Sequence, residues 1–249
     1  MNRKCYFLIP AAGSGTRMGE GQPKLMRNVE GSPVILRTLG AVTDVCRCSY
    51  AGLDYRIIII TTQDLIDILK AMCNEYFPDI DIEFTLGGDT RTKPVSNGIK
   101  AVTDAQDDDL VLVHDGARCL VTADEITACI ECLKDHAVCA SAIPVKNTLK
   151  EAELLPSGEI RVTGTPDRSK FYEILTPQGF KYKDIKMCYE RAIEEGFTAT
   201  DDTALASAYG LDVYLTQGLY SNLKITTPED IAIASEIVRS RGESEPFSD

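Results

Sequence analysis

The chain has little positive charge and almost no histidine. Its 249 residues include 26 Lys and Arg against 38 Asp and Glu, with two histidines, so the formal net charge is −12. A negative surplus of this size argues against a nucleic-acid backbone or an anionic membrane surface as the main partner. An anion that binds here must therefore be held by a few cations placed locally.

Long apolar runs are missing as well. Apart from the N-terminal run, the longest, around Ile57–Ile60, is far below the roughly 20 residues that cross a bilayer. The N-terminal run Cys5–Ile9 is shorter than the ~7–15 residues of a signal peptide and ends at Pro10, so we interpret it as a strand. The nine cysteines are odd in number and scattered, which favours reduced thiols. We expect a soluble, cytoplasmic protein.

Strand-like and helix-like segments alternate along the chain. Tyr55–Thr62 is nearly continuous and β-branched, as in a strand buried on both faces, and Asp64–Tyr76 has helical apolar spacing. This alternation predicts an α/β fold with a mostly parallel sheet flanked by helices. There is no internal repeat and no long linker, so we predict a single domain over residues 1–249.

The alternation breaks at approximately residues 146–176. Two short strand-like runs flank Pro156–Gly158, which is typical of a β-hairpin. We predict a projecting β-arm that covers a partner subunit. Further along, Thr227, Pro228 and Asp230 form a helix-start signature and are assigned no chemistry.

The segment "LIPAAGSGTRMGEGQPK", residues 8–24, places a glycine-rich loop after the first strand. It matches neither the Walker loop nor the dinucleotide fingerprint. Its glycines can still turn backbone N–H groups toward an anion at the sheet edge. Arg17 and Lys24 add more charge than one phosphodiester requires, which favours a triphosphate. The alternative is a solvated surface turn.

A carboxylate follows the fourth predicted strand. In "VLVHDGAR", Asp115 stands where a Mg²⁺ ion could bind together with phosphate oxygens. The alternative is a simple pair between Asp115 and Arg118 across the turn. We interpret His114 as orienting this turn. Cys129, Cys132 and His136 share one side of a helix, but zinc needs four ligands, so we interpret these cysteines as buried thiols.

Taken together, these segments resemble the 2-C-methyl-D-erythritol 4-phosphate cytidylyltransferase family. The resemblance rests on six ordered blocks: "IPAAGSGTRMG…PK", "GGDTR…NGI", "VHDGAR", "PVKNTLK", "DRSKFYEILTPQGF" with "DDTAL", and "GLYSNLKITTPEDI". It implies a Rossmann-like nucleotidyltransferase fold with a projecting arm, acting as a homodimer. It also implies the reaction of CTP with a polyol phosphate to give a CDP-polyol and pyrophosphate.

The resemblance also implies roles for individual residues. Arg17 and Lys24 would hold the triphosphate and stabilise the transition state, and Asp115 would bind magnesium. The resemblance places Asn222 as a second metal ligand, because a wider group of nucleotidyltransferases uses Asn or Asp in this region. The nucleotide-binding positions are Pro10, Ala11, Ala12, Gly13, Gly15, Gly88, Asp89 and Asp115.

Three positions correspond to the polyol-phosphate site. Thr148 and Arg168, on the arm, would contact the polyol phosphate bound to the neighbouring subunit. Lys224 would orient that phosphate, and Arg168 and Lys224 would also take part in catalysis. No general base is needed, because a phosphate monoester with a second pKa near ~6 is already dianionic at neutral pH.

The chain departs from the family pattern at one position near the base pocket. Pro94 stands where the family usually has a serine, and Ser96, two residues on, is a candidate substitute. The choice of CTP over UTP is therefore open. The nearest alternative function is ribitol 5-phosphate cytidylyltransferase, and one of another class is a non-catalytic nucleotide-sensing protein.

Overall fold

The structure is a computed structural model that describes residues 3–13, 22–50, 53–88 and 92–242. Its strands, numbered along the chain, are β1 (Cys5–Pro10), β2 (Asn28–Val29), β3 (Ser32–Pro33), β4 (Tyr55–Thr61), β5 (Ile82–Leu86), β6 (Leu110–Val113), β7 (Val138–Pro144), β8 (Glu151–Leu154), β9 (Ile160–Gly164), β10 (Tyr172–Lys181) and β11 (Val213–Gln217). Its helices are α1 (Val34–Asp44), α2 (Gln63–Tyr76), α3 (Lys93–Ala101), α4 (Ala123–Asp135), α5 (Tyr182–Glu195), α6 (Asp202–Ala208) and α7 (Pro228–Ser240).

Seven strands form one sheet in the order β11-β7-β10-β6-β1-β4-β5. β1 pairs in parallel with β4 and β6, β4 pairs in parallel with β5, and β7 with β11. β10 runs antiparallel between β6 and β7. The sheet is therefore mostly parallel, which confirms the prediction from the sequence.

Helices cover both faces of this sheet. The apolar core on one face includes residues of α1, α2, α4 and α7, and that on the other includes residues of α3, α5 and α6. Ile57–Ile60 of β4 are completely buried because their side chains alternate between these two cores. None of the helices in the described ranges is long and apolar enough to span a membrane.

The sequence pattern does not predict β10. The segment contains Pro177 and Gly179, which are poor strand formers, and it buries the polar side chains of Thr176 and Gln178. It forms a strand because it has a pairing partner on each side, and a register shift between Ile174 and Gln178 accommodates the proline. This strand depends on tertiary contacts more than on local propensity.

Two helices begin with a complete capping box. Thr227 and Asp230 cap α7, as the sequence predicts. Thr122 and Glu125 cap α4 in the same way. In each box the Thr side chain accepts the backbone N–H three residues on, and the acidic side chain accepts the N–H of the Thr.

The arm contains an antiparallel hairpin of β8 and β9, and Gly158 at its turn has a φ of +87°. Both strands lie inside the predicted range of 146–176, while the last five residues of that range belong to β10. Leu154 and Ile160 are each 74% exposed, and Val162 is 56% exposed. The hairpin thus presents apolar side chains to solvent within this single chain.

The close packing of α3 on β4 predicts opposite effects for two glycine substitutions. A Cβ at Gly98 would lie 2.6 Å from Cδ1 of the buried Ile60, so Gly98→Ala should destabilise the fold by about 1–3 kcal/mol. Gly40, in α1, has open space around its Cβ position, so Gly40→Ala should stabilise by about 0.5–1 kcal/mol. Urea unfolding measures both. A stabilised Gly98→Ala variant would contradict this packing.

Candidate active site

A cavity of about 290 Å³ lies at the carboxyl ends of β1 and β6. It draws on six segments: the end of β1, the short turn after Pro23, Gly88 just after β5, the start of α3, and two loops near Asp115 and Lys224. Its lining consists of Pro10, Ala11, Ala12, Gly13, Lys24, Leu25, Gly88, Pro94, Asp115, Ala117 and Lys224. Eight of these eleven residues are predicted site positions.

The loop after β1 continues the hydrogen bonding of the sheet. The backbone N–H of Ala11 donates to the carbonyl of Ile60 at 2.7 Å, and the Thr61 hydroxyl donates to the carbonyl of Ala11 at 3.2 Å. Gly116 donates its N–H to the carbonyl of Pro10 at 3.1 Å. These bonds fix the beginning of the glycine-rich loop against the neighbouring strands β4 and β6.

Asp115 lies between two cations. Its Oδ2 is 2.7 Å from Nζ of Lys224 and 3.6 Å from Nε of Arg118. Burial alone raises the pKa of Asp115, but the charges of Lys224 and Arg118 outweigh this effect and hold the pKa below its usual value. Asp115 is therefore ionised at neutral pH. Its pair with Arg118 exists, but the shorter contact is with Lys224.

His114 is almost completely buried and supports the turn that carries Asp115. Its Nε2 lies 3.2 Å from the carbonyl of Arg118 and must donate there, so Nδ1 accepts from the Thr176 hydroxyl at 2.9 Å. The Thr176 oxygen in turn accepts the backbone N–H of Asp115 at 3.1 Å. Burial lowers the pKa of His114 to about 4, so the ring is neutral and orients Asp115.

Asn222 comes two residues before Lys224 in the sequence, and it is 1% exposed. Its amide nitrogen donates to Oε1 of Glu125 and to the carbonyl of Thr176, each at 3.0 Å. Within the described part of the chain, its Oδ1 is buried and has no hydrogen-bond partner. The backbone carbonyl of Asn222 accepts from Nη1 of Arg118 at 2.6 Å. The Asn222 side chain therefore has one polar atom, Oδ1, left for a ligand.

The remaining predicted positions divide into two groups. Thr148 and Arg168 are exposed on the arm and do not line the cavity of their own chain. Arg168 donates from Nη1 to the carbonyl of Lys146 at 2.6 Å, which joins the two ends of the arm. Gly15, Arg17 and Asp89 lie outside the described residues.

A model of the 2-C-methyl-D-erythritol 4-phosphate cytidylyltransferase family matches residues 5–240. The chain belongs to this family. A relative of that name from Trichormus variabilis is 38% identical over 239 residues, which cover 96% of this chain and 100% of the relative. One from Synechocystis sp. is 38% identical over 236 residues, covering 95% of this chain and 97% of the relative.

Solved structures give the same result. The 4-diphosphocytidyl-2C-methyl-D-erythritol synthase from Anaerococcus prevotii has a TM-score of 0.80 and 30% identity, covering 96% of this chain and 100% of that one. The 2-C-methyl-D-erythritol 4-phosphate cytidylyltransferase from Thermus thermophilus has a TM-score of 0.71 and 27% identity, covering 94% and 98%. The predicted fold of this family is thereby confirmed.

The described residues that line the cavity include no hydroxyl side chain. Pro94 lines the cavity near the start of α3. Ser96 is 4% exposed and is not among the lining residues. Ser96 therefore does not take the place of the missing serine in this arrangement.

The site also includes residues to which the sequence analysis assigned no role. Glu125 and Thr176 both accept from the amide nitrogen of Asn222, and Arg118 contacts both Asp115 and the Asn222 backbone. The string "TADE", residues 122–125, carries a capping-box signal that could have singled out Glu125. Its contacts with Leu219 and Asn222 have no signal in the sequence.

The cysteine and histidine residues of α4 form no metal site. The Cys129 thiol donates to the carbonyl of Pro177 at 3.6 Å, and the Cys139 thiol donates to the carbonyl of Cys129 at 3.5 Å. The His136 ring stacks on Tyr214 with 3.5 Å between centroids. Among the described residues, no group of three or more His, Cys, Asp or Glu side chains could hold a metal. None of the nine cysteines, all of which lie in the described ranges, forms a disulfide bond.

The buried neutral His114 predicts a loss of stability in acid. The unfolded chain takes up a proton below about pH 6.5, whereas folded His114 stays neutral down to about pH 4. As the pH falls through this window, the free energy of unfolding should decrease by about 3 kcal/mol. Urea unfolding at several pH values measures the slope. His114→Gln keeps a donor for the Arg118 carbonyl but cannot titrate, and an equally steep slope in that variant would contradict the assignment.

Proposed function

We propose that this chain transfers CMP from CTP to 2-C-methyl-D-erythritol 4-phosphate, giving CDP-methylerythritol, an isoprenoid precursor, and pyrophosphate. The observation that carries this proposal is the cavity at the sheet edge, where Lys24, Asp115 and Lys224 meet in a chain of this family. The relatives' names specify both the nucleotide and the acceptor.

The proposed chemistry is electrostatic. Two polyanions must approach in line while charge moves onto the leaving pyrophosphate, so the enzyme must position and neutralise them. Lys24 lines the cavity beside the loop after β1, and we assign it, together with Arg17, to the triphosphate. Lys224 is 43% exposed, so its ammonium group can reach an incoming phosphate while staying near Asp115. Neutral His114 takes no proton from the acceptor, and none needs to be removed.

We also propose that Mg²⁺ is the metal cofactor. Asp115 offers an ionised carboxylate at the cavity, and Asn222 offers a buried amide oxygen without a partner in the described residues. Oxygen ligands of this kind, one or two from the protein with phosphate oxygens completing the shell, suit Mg²⁺. When bound, the ion would neutralise charge on the phosphates. Arg118 keeps Asp115 in place for it.

The arm supports the proposal of a homodimer. Its exposed Leu154, Ile160 and Val162 form an apolar surface that a second copy of the chain could cover. Thr148 and Arg168 are exposed at the base of the arm and do not reach their own cavity. In a dimer of this kind, these two residues would complete the acceptor site of the partner. The reduced cysteines support a reducing, cytoplasmic location.

The alternatives have less support. The names of the relatives and structural neighbours reported above specify methylerythritol phosphate or its product, which favours this acceptor over ribitol 5-phosphate. A non-catalytic nucleotide-sensing protein would not need Lys24, Asp115 and Lys224 together in one cavity.

A substrate panel tests the proposed function. Pyrophosphate release is measured with CTP or UTP and with either methylerythritol 4-phosphate or ribitol 5-phosphate, in Mg²⁺ and in EDTA. We expect turnover with CTP, methylerythritol 4-phosphate and Mg²⁺, and none in EDTA. Lys24→Ala should lower turnover by roughly 10²–10³-fold. A matched control is Lys70→Ala, on the exposed side of α2 away from the lining residues.

Each unexpected result of the substrate panel would change one part of the proposal. Turnover of ribitol 5-phosphate alone would establish the nearest alternative. Equal use of UTP would mean that Pro94 has changed base selection, and Pro94→Ser should then restore the preference for CTP. Full activity in EDTA would remove Mg²⁺ from the mechanism. Full activity of Lys24→Ala would remove this lysine from its assigned role.

Mixing two inactive variants tests the shared site. Lys24→Ala damages the cavity and Arg168→Ala damages the arm, so each homodimer has two defective sites. In a mixed dimer one site carries both substitutions and the other carries neither. Random exchange of equal amounts should therefore restore about a quarter of wild-type activity. If mixed dimers form by sedimentation analysis but activity stays at the level of the variants, the arm does not act on the partner.

A further inference from the structure

Lys224 lies on a loop that has no helix or strand of its own. This loop, residues 218–225 and here called the lysine loop, connects the end of β11 to the turn before α7. Gly218 donates its N–H to the carbonyl of Ala142 and Ile225 donates to that of Ala117, each at 2.9 Å. Between these two ends the loop has two backbone hydrogen bonds of its own, from Asn222 to Leu219 and from Leu223 to Ser221, and side chains of other segments hold it to the rest of the fold.

Glu125 provides two of these contacts. Its Oε1 accepts the backbone N–H of Leu219 and the amide of Asn222, each at 3.0 Å. Its Oε2 accepts the backbone N–H of Thr122 at 3.0 Å and the Thr122 hydroxyl at 3.1 Å. Oε2 thus caps the start of α4, and Oε1 binds the lysine loop. The residue is 2% exposed, so water cannot replace either set of bonds.

We propose that Glu125 is a positioning residue that holds the lysine loop in place for the transfer reaction and acts through Lys224. This inference rests on the proposed function above. The first turn of α4 follows the Asp115 turn in sequence, and Glu125 joins it to the loop that carries Lys224. The two members of the Asp115–Lys224 ion pair are therefore held to one another by a second, buried connection.

The chemistry of the contacts requires a carboxylate of this length. Glu125 faces four donors and no acceptor, which suits an ionised carboxylate and not an amide. An aspartate could still cap α4, because Asp230 does so at Thr227 in α7. It is one methylene shorter, so it could not also reach Leu219 and Asn222. Glu125→Asp therefore separates the two tasks of the residue.

Hydrogen–deuterium exchange tests the connection without any substrate. In Glu125→Asp, the amide of Leu219 loses its acceptor, so peptides covering residues 218–225 should exchange roughly tenfold faster. Thr122→Ala is the matched control, since it removes the capping hydroxyl and leaves Oε1 untouched. It should lower the urea midpoint but leave exchange of the lysine loop unchanged. Equal protection in wild type and Glu125→Asp would overturn the proposal.

A double-mutant cycle tests the route through Lys224. Glu125→Asp should lower kcat/KM for the polyol phosphate by roughly 10–100-fold, since small misplacements of a positioning group have costs of this size. In a Lys224→Ala background the same change should lower kcat/KM less than about threefold. A merely structural effect would give the same factor in both backgrounds, and that result would overturn the proposal.

Two further results distinguish failure of the proposed function from failure of the proposed role of Glu125. If wild type releases no pyrophosphate with any acceptor, the proposed function fails, while the exchange experiment still tests the connection. If Glu125→Asp does not fold, Glu125→Gln takes its place in both experiments, because it keeps the length and places an amide against two donors. Wild-type exchange and wild-type kcat/KM in that variant would overturn the proposal.

Discussion

The ion pair between Asp115 and Lys224 joins the end of a central strand to a loop near the end of the chain. It holds a negative charge inside a largely buried turn, which would be unfavourable without the two neighbouring cations. The supporting residues are arranged around this pair: neutral His114 and Thr176 hold the Asp115 backbone, and Arg118 pairs with Asp115 and donates to the backbone carbonyl of Asn222. The geometry of the cavity depends on this arrangement.

The charge distribution of the whole chain gives these cations their importance. With a net charge of −12, the protein repels phosphates at long range. Binding of a triphosphate must rely on cations that act at short range in a partly desolvated cavity, where each charge interacts more strongly than on the open surface. Lys24 and Lys224 line such a cavity, and the ion pair with Asp115 orients Lys224.

Much of this fold can be predicted from the sequence, because strong local patterns determine it. The sequence contains recognisable signals for several elements: the apolar runs of β1, β4 and β6, the hairpin turn at Gly158 and the capping box of α7. Among the cavity residues, Ala11, Ala12, Gly13 and Asp115 could be predicted because they follow strand ends, whereas Lys224 was predicted only from the family resemblance. β10 and α6 could not: β10 has weak strand propensity and forms by pairing on both sides, and α6 is only seven residues long. The contacts of Glu125 with a distant loop likewise exist only in the folded chain.

The antiparallel direction of β10 has a consequence for the arm. β7 runs parallel to β6 through the intervening β10, so its last residue, Pro144, lies at the same sheet edge as Asp115. β10 starts from that edge, so the hairpin between them is rooted beside the cavity while every core strand stays paired. Insertions or deletions within residues 151–164 would change its reach and leave the seven-stranded core untouched. The topology thus leaves the length of the arm free to vary independently of the fold.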